Sequence, residues 1–417
     1  MSSSQHNGWT GGQYSLFRVI FGLYLCIHFL QLLPWGTELF SNQGALPEAV
    51  ASPLLYAFPN ILGIWDTPLF VTTLLSVACV LSVLFAFGAY DRWAAVGLWY
   101  VWACVFGRNP LIANPSLPFI GWLLLAHACL PTAPYGSWAG RGRSDPGEAW
   151  HMPGAIYLVA WTVMALGYSY SGYSKLISPS WVDGTALARV LDNPLARPGF
   201  VRELILDLPA GVLQLATWGA LGLELVFTPL ALLRRLRPWL WGAMLAMHLG
   251  LIVVIDFADL SLGMLMLHLF TFDPAWFRSQ KVTATEVVFY DGQCGLCHRV
   301  VRFVLAEDPE GRAFRFAPLD SEAFRTALSA AEREQLPDSL VVYCVDGTIL
   351  LKSAAALHIL DRLGGLWRIL GLLLHLLPLG VRDAVYDAIA RTRHTLFRPP
   401  TQACPLVPAD LRKRFEV

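Results

Sequence analysis

The chain has 417 residues, 55% of them hydrophobic and only 14% charged, whereas soluble domains carry about 25% charged residues. Lys plus Arg and Asp plus Glu both number 30, so the net charge is zero, and nothing in the balance asks for a nucleic-acid partner. The charge is unevenly spread: residues 1–277 are poor in it, and "AEDPEGRAFRF" and "SAAEREQLPDS" further on read as ordinary soluble protein.

The opening "MSSSQHNGWTGGQYS" has no basic n-region and no clear cleavage site, so no removable signal peptide is expected. A helix needs about 20 mostly apolar residues to cross the hydrocarbon. Apolar stretches at about 14–34, 68–88, 93–107, 116–131, 153–173, 210–233, 238–256 and 258–274 predict a multi-pass α-helical membrane bundle of about eight spans. Residues 1–277 are read as this transmembrane domain, 278–285 as a linker and 286–417 as a soluble α/β domain. With eight spans, Arg92, Arg141, Arg143, Arg234, Arg235, Arg237, Arg278 and Lys281 share one side, which the positive-inside rule makes the cytoplasm. The protein is expected in a bacterial-type inner or cell membrane, among lipids, with its C-terminal domain cytoplasmic. Residues 174–209, with Lys175, Arg189, Arg197 and Arg202, fall outside and break the charge rule.

Polar groups at membrane depth are costly and often functional; here they include Arg18, His28, His127, Lys175, Glu224, His248, Asp256 and His268. Helix-to-helix hydrogen bonds explain any single histidine, whereas the four together suggest an internal polar cavity. In "GYSYSGYSKLISPSWVDGTAL" (167–187), Lys175 stands among Tyr168, Tyr170, Tyr173 and Trp181. It reads either as a snorkelling interfacial lysine or as a base whose pKa an aromatic, partly dry setting lowers.

"SGYSKLISPSWVDG" resembles a segment of vitamin K-dependent gamma-carboxylases and of their bacterial relatives, the HTTM family, with the pattern G-x-x-K-L followed by W-x-x-G. The stretch 247–277 is similar to that family's last helices. The resemblance implies that Lys175 is the base that deprotonates a reduced, vitamin K-like quinone. It also implies a cavity for a quinone-like or lipidic molecule, with Trp181, Tyr173, His127, His248 and His268 as candidates around it. The family's N-H-x-Y-L motif is matched only by Asn114-Pro115-Ser116-Leu117, without the histidine. No counterpart of the carboxylase's large lumenal domain is seen, so peptide carboxylation is not implied.

Further along, "TEVVFYDG" reads as a buried strand, "CGLC" follows, and Val300, Val301, Val304 and Leu305 of "HRVVRFVLAED" fit one helix face. Cys294 and Cys297 therefore sit at a strand-to-helix junction, the thioredoxin geometry. The helix N-terminus should lower the Cys294 thiol pKa, so Cys294 attacks and Cys297 resolves the mixed disulfide. Cys-x-x-Cys-His is also the c-type haem pattern, but haem attachment needs an extracytoplasmic site; zinc would need a second ligand pair, and Cys344 and Cys404 lie far apart. No metal or haem is expected. "SLVVYCVDGTILL" reads as a hairpin across Asp346-Gly347, "SAAALHILDRLGG" as a helix capped by Ser353, and 366–380 as an apolar helix too short to span. Cys26, Cys79, Cys104 and Cys129 read as packing residues.

"FYDGQCGLC" resembles the D-G-x-C-x-L-C signature of the DCC family of thiol-disulfide oxidoreductases, with "FAPLDS" and the tail "YDAIARTRHTLFRPPTQACPL" as further marks. The resemblance covers about 286–406, includes Asp291 and Gly292 beside the thiols, and places the family's closing arginine and cysteine at Arg393 and Cys404. Asp291 is either a turn-former or a proton-handling neighbour. The combined expectation is a membrane oxidoreductase that couples the dithiol to quinone-like or lipidic redox chemistry, with a protein thiol as a further partner. The alternative is a non-enzymatic anchor, transporter or sensor carrying a thiol redox switch.

Overall fold

The computed structural model describes residues 7–142, 150–277, 284–337, 339–397 and 409–416. Arg143, Arg278, Lys281, Cys404 and most of the expected linker lie outside the described residues. The chain divides into two compact units: residues 17–130 with 153–272, and residues 1–16, 131–152 and 273–417. The dithiol unit thus takes in the chain start and a mid-chain segment besides the C-terminal region.

The first unit is helical. Helices stand at all eight stretches expected as spans: α1 (Gly11–Leu32, which begins in the other unit), α2 (Pro68–Phe87), α3 (Asp91–Arg108), α4 (Leu117–Ala128), α5 (Gly154–Lys175), α6 (Ala210–Ala231), α7 (Arg237–Val254) and α8 (Ala258–Thr271). Four are long and apolar enough to cross a membrane by length and composition: α1 with its continuation to Phe40, α2, α6 and α7. A bent pair near the C-terminus, Gly365–His375 with Leu379–Arg393, would make a fifth if it counted as one span. By this measure four of the eight expected stretches are candidate spans. At 1.5 Å per residue, the 12 residues of α4 and 14 of α8 fall short of the hydrocarbon's ~30 Å. α3 carries Asp91, Arg92 and Arg108, and α5 is diluted by Tyr, Ser and Gly.

α5 and α6 pack closely because of Gly172, where a Cβ would lie 2.7 Å from the Leu225 amide nitrogen. Ser169 Oγ on the same face donates to the Glu224 carbonyl at 3.1 Å. This close approach sets Glu224 opposite the end of α5.

The C-terminal region is built on a small mixed sheet in the order β2-β1-β3-β4. β1 (Glu286–Tyr290) runs into α9 (Gly295–Glu307) and then β2 (Phe314–Pro318), parallel to β1 from Glu286↔Phe314 to Tyr290↔Pro318. β3 (Val341–Tyr343) and β4 (Ile349–Leu351) form a hairpin, and β3 pairs antiparallel to β1. The hairpin turns where expected: Gly347 has φ +82°, and Asp346 Oδ1 accepts from the Thr348 amide at 2.9 Å. Strand alternation sends Val288 and Tyr290 to one face with Val301, Val304, Leu305 and Phe316, and Phe289 to the other with Ala317, Phe324 and Val341.

Three helices follow: α10 (Lys352–Leu363), α11 (Gly365–His375) and α12 (Leu379–Leu396). The expected Ser353 cap is not formed. Leu351 is the N-cap, and the Ser353 hydroxyl donates to Asp383 on α12.

Candidate functional site: a buried dithiol

The residues from Asp291 to Cys297 turn the chain from β1 into α9. Asp291 Oδ1 accepts from the Gln293 amide at 2.8 Å, and its carbonyl accepts from the Cys294 amide at 3.2 Å. Asp291 thus shapes this turn. Its other carboxylate oxygen, Oδ2, lies 3.4 Å from Arg393 on α12. Gly292 contributes its carbonyl, 2.9 Å from His298 Nε2.

Cys294 is the N-cap of α9, and its sulfur accepts from the Cys297 amide at 3.4 Å. The first turn of a helix leaves amides unpartnered, and its dipole favours negative charge. Both cysteines are free thiols. Burial, reinforced by the hydrogen bond and the electrostatic interaction with Cys294, pushes the Cys297 thiol up, against the Asp291 backbone and the Arg393 guanidinium. Both cysteines are buried, Cys294 at 0% and Cys297 at 8% exposure. A cavity of about 220 Å³ reaches Cys297, with Leu296, Val300, Leu340, Tyr386 and Arg393 among its walls. Cys294 does not line it.

The helical unit holds a separate cavity of about 360 Å³ lined by Lys175, Trp181, Glu224, His248 and Tyr168, with apolar residues around them. Lys175 Nζ lies 2.5 and 2.6 Å from the two Glu224 oxygens and 4.4 Å from the Trp181 ring centre. The Tyr168 hydroxyl joins His248 Nε2 at 2.9 Å and His268 Nε2 at 2.6 Å. Two expected neighbours are elsewhere. Tyr173 is 67% exposed, because residues 173 and 175 point about 200° apart around a helix. His127 pairs with Asp91 at 3.6 Å, with the Phe85 ring beside it. The four histidines expected at membrane depth do not share one cavity: His28 bonds Asp259 at 2.9 Å, His127 sits with Asp91, and among the four only His248 and His268 meet, through Tyr168. Glu224, the partner of Lys175, stands out in sequence only as a charge within an apolar run.

A family model described as DCC1-like thiol-disulfide oxidoreductase matches residues 288–399. The chain is 36% identical over 134 residues to the uncharacterised protein YuxK of Bacillus subtilis (strain 168), covering 31% of this chain and 93% of that protein. It is 33% identical over 111 residues to a chloroplastic DCC family protein of Arabidopsis thaliana, covering 27% of this chain and 64% of the plant protein. No solved structure matches the chain.

Proposed function

Because the chain belongs, through its C-terminal region, to the DCC1-like thiol-disulfide oxidoreductase family, we propose that Cys294 and Cys297 carry out thiol-disulfide exchange on a protein or small-molecule disulfide. The observation that carries this reading is the position of Cys294 at the cap of α9, its sulfur on the Cys297 amide. The Cys294 thiolate attacks one sulfur of the partner disulfide, and the other partner sulfur leaves as a thiolate. Cys297 then attacks Cys294, its proton passing to the partner's second sulfur, which leaves as a thiol, and a Cys294–Cys297 disulfide remains. A β-α-β opening, an antiparallel hairpin and a dithiol at the first strand-to-helix junction support the thioredoxin-like description of the fold. Mass spectrometry of oxidised, alkylated full-length protein tests the reading. A 294–297 linkage together with turnover of a disulfide substrate supports exchange; the linkage without turnover supports a redox switch; unlinked thiols or a covalent haem on this peptide overturn both.

The helical unit supports a second reading. Its cavity is mostly apolar, with the Lys175–Glu224 pair, the Tyr168–His248 bond, Ser171 and Thr217 as its polar groups, which suits a flat, lipid-soluble molecule with oxygen at its edge. We take this molecule to be of the quinone class, with Lys175 acting on its hydroxyl proton. In a coupled reaction the two thiols would give two electrons and two protons to a quinone that, being lipid-soluble, travels through the bilayer between the dithiol and the Lys175 cavity, forming the disulfide and the quinol. Lipid extraction from purified protein tests the cavity's occupant: a co-purifying quinone supports the coupled oxidoreductase, and none across several detergents favours an anchor or scaffold. We place the protein in a cell membrane with its thiol region cytoplasmic, on the basis of the arginine clusters.

A further inference from the structure

The start of β1, the end of β3 and the middle of α10 bring three metal-ligating side chains together at the far end of β1 from the dithiol. Glu286 opens β1, Cys344 follows β3 directly, and His358 lies on α10. His358 Nε2 is 2.7 Å from Glu286 Oε2 and 3.8 Å from Cys344 Sγ, and one ligand atom from each residue lies within 4.8 Å of the others. Glu286 and Cys344 are buried, whereas His358 is half-buried and provides an entry path. Arg362 Nε lies 3.4 Å from Glu286 Oε2.

We propose that Glu286, Cys344 and His358 form a binding site for a divalent cation of the zinc class, with water as the fourth ligand. The donor set is one thiolate, one imidazole and one carboxylate, the mixture that suits borderline-soft Zn²⁺ and not Mg²⁺ or Ca²⁺. The spacing agrees. Zinc bonds of about 2.3 Å to sulfur and about 2.0–2.2 Å to nitrogen and oxygen give tetrahedral edges of about 3.5 Å for N···S and about 3.3 Å for N···O. The sulfur already stands near its edge distance, and the carboxylate need withdraw only about 0.6 Å from the imidazole. Thiolate and carboxylate together balance the cation's charge, and Arg362 is placed to hold the carboxylate as an outer partner. A thiol must shed its proton to bind the cation, so binding displaces a proton and tightens as pH rises. β1 runs about 13 Å from its first to its last residue, so the cation would brace the hairpin against α10 and take no part in exchange at Cys294.

The test is cobalt(II) titration of the full-length protein in detergent, in a Cys294→Ser/Cys297→Ser background that removes the other thiol pair. The expected result is one Co²⁺ per chain, with a sulfur-to-cobalt charge-transfer band that Zn²⁺ abolishes. Cys344→Ser should remove the band, and His358→Gln and Glu286→Gln should each weaken binding more than about tenfold. Circular dichroism reports whether each variant folds, and the His358 and Glu286 variants carry the test if the Cys344 variant does not. No sulfur-to-cobalt band in the background protein, or a band that survives Cys344→Ser, overturns the site.

Discussion

Burial and the neighbouring Cys294 raise the Cys297 thiol above its ordinary range, which suits it to finishing an exchange and not to beginning one. The two single variants should therefore differ in kind. Cys294→Ser should reduce exchange to background, and Cys297→Ser should form a mixed disulfide that persists on non-reducing gels. Equal trapping by both would remove the distinction. Because both cysteines are buried, a small alkylating agent should react much faster than a bulky maleimide. Glu307 offers a second residue-scale test. It accepts from the Thr10 hydroxyl, from the Gly12 amide at 2.8 Å and from Trp367 Nε1 at 2.5 Å. Burial nevertheless raises its carboxyl above the usual 4.5, against the pull of these donors. A raised carboxyl contributes stability that is fully present below the unfolded pKa and is lost as pH rises through the folded one, by about 1.4 kcal/mol per unit of elevation. Glu307→Gln keeps a neutral acceptor there. Its melting temperature should gain on the wild type as pH is raised from 4.5 to 8, and a constant difference across that range would refute the account. For Lys175, arginine preserves charge but cannot release a proton. Lys175→Arg should leave a folded protein with quinol turnover down by about 10²–10⁴-fold, as should Lys175→Ala. Near-normal turnover of the arginine variant would leave the Lys175–Glu224 pair a purely structural contact.

At the scale of elements, α9 joins two devices, since the dithiol caps its start and Glu307 ends it. α12 reaches back to the same junction through Arg393 and Asp291. That ion pair, with Arg393 buried, should give a coupling energy of about 0.5–3 kcal/mol in a double-mutant cycle of Asp291→Asn and Arg393→Ala. Denaturant unfolding measures it, and strict additivity would deny the clamp. The strand, the Cys-x-x-Cys junction, the hairpin at 346–347 and the positions of the eight helices were all readable from local periodicity and turn chemistry. What was not readable depends on partners distant in sequence. Ser353 looked like a cap because its local pattern is that of one, but Asp383, thirty positions on, takes its hydroxyl. The histidines looked like one cluster because their common signal is polarity in an apolar run, and which helix each one faces is a matter of packing. Glu286, Cys344 and His358 lie on three elements with no shared motif, so only the sheet register brings them together.

For the whole molecule, the membership of the dithiol unit constrains topology. Ser15 Oγ donates to the Tyr135 carbonyl at 2.5 Å, the Tyr135 ring lies 6.3 Å from Phe303, and Gln13 Oε1 accepts from the Leu366 amide at 3.0 Å. The chain start, the segment 131–152 and the C-terminal region thus fold as one unit, and one folded unit lies on one side of a bilayer. In a membrane-inserted chain, residues 17–130 and 153–272 then each cross an even number of times. Four crossings satisfy this, through α1 and α2, then α6 and α7; so do eight, through all the helices. The two counts differ at Arg234 and Arg235, exposed between α6 and α7. With eight crossings they share the side of the dithiol unit and of Arg141, as the positive-inside rule favours; with four they lie opposite. We predict the first arrangement, with α5 and α8 crossing in spite of their modest apolarity or length. Cys294 is too buried to report on sidedness, so reporters belong at exposed positions in a Cys129→Ser background: Glu48→Cys, Arg234→Cys and Glu310→Cys, the last at a side chain 64% exposed. A membrane-impermeant maleimide on intact cells should label only the Glu48 reporter, and the other two should react after lysis. Labelling at Arg234 with Glu310 protected would establish four crossings. Labelling at Glu310 would place the thiol unit outside the cytoplasm and restore the extracytoplasmic chemistry of a Cys-x-x-Cys-His sequence to consideration.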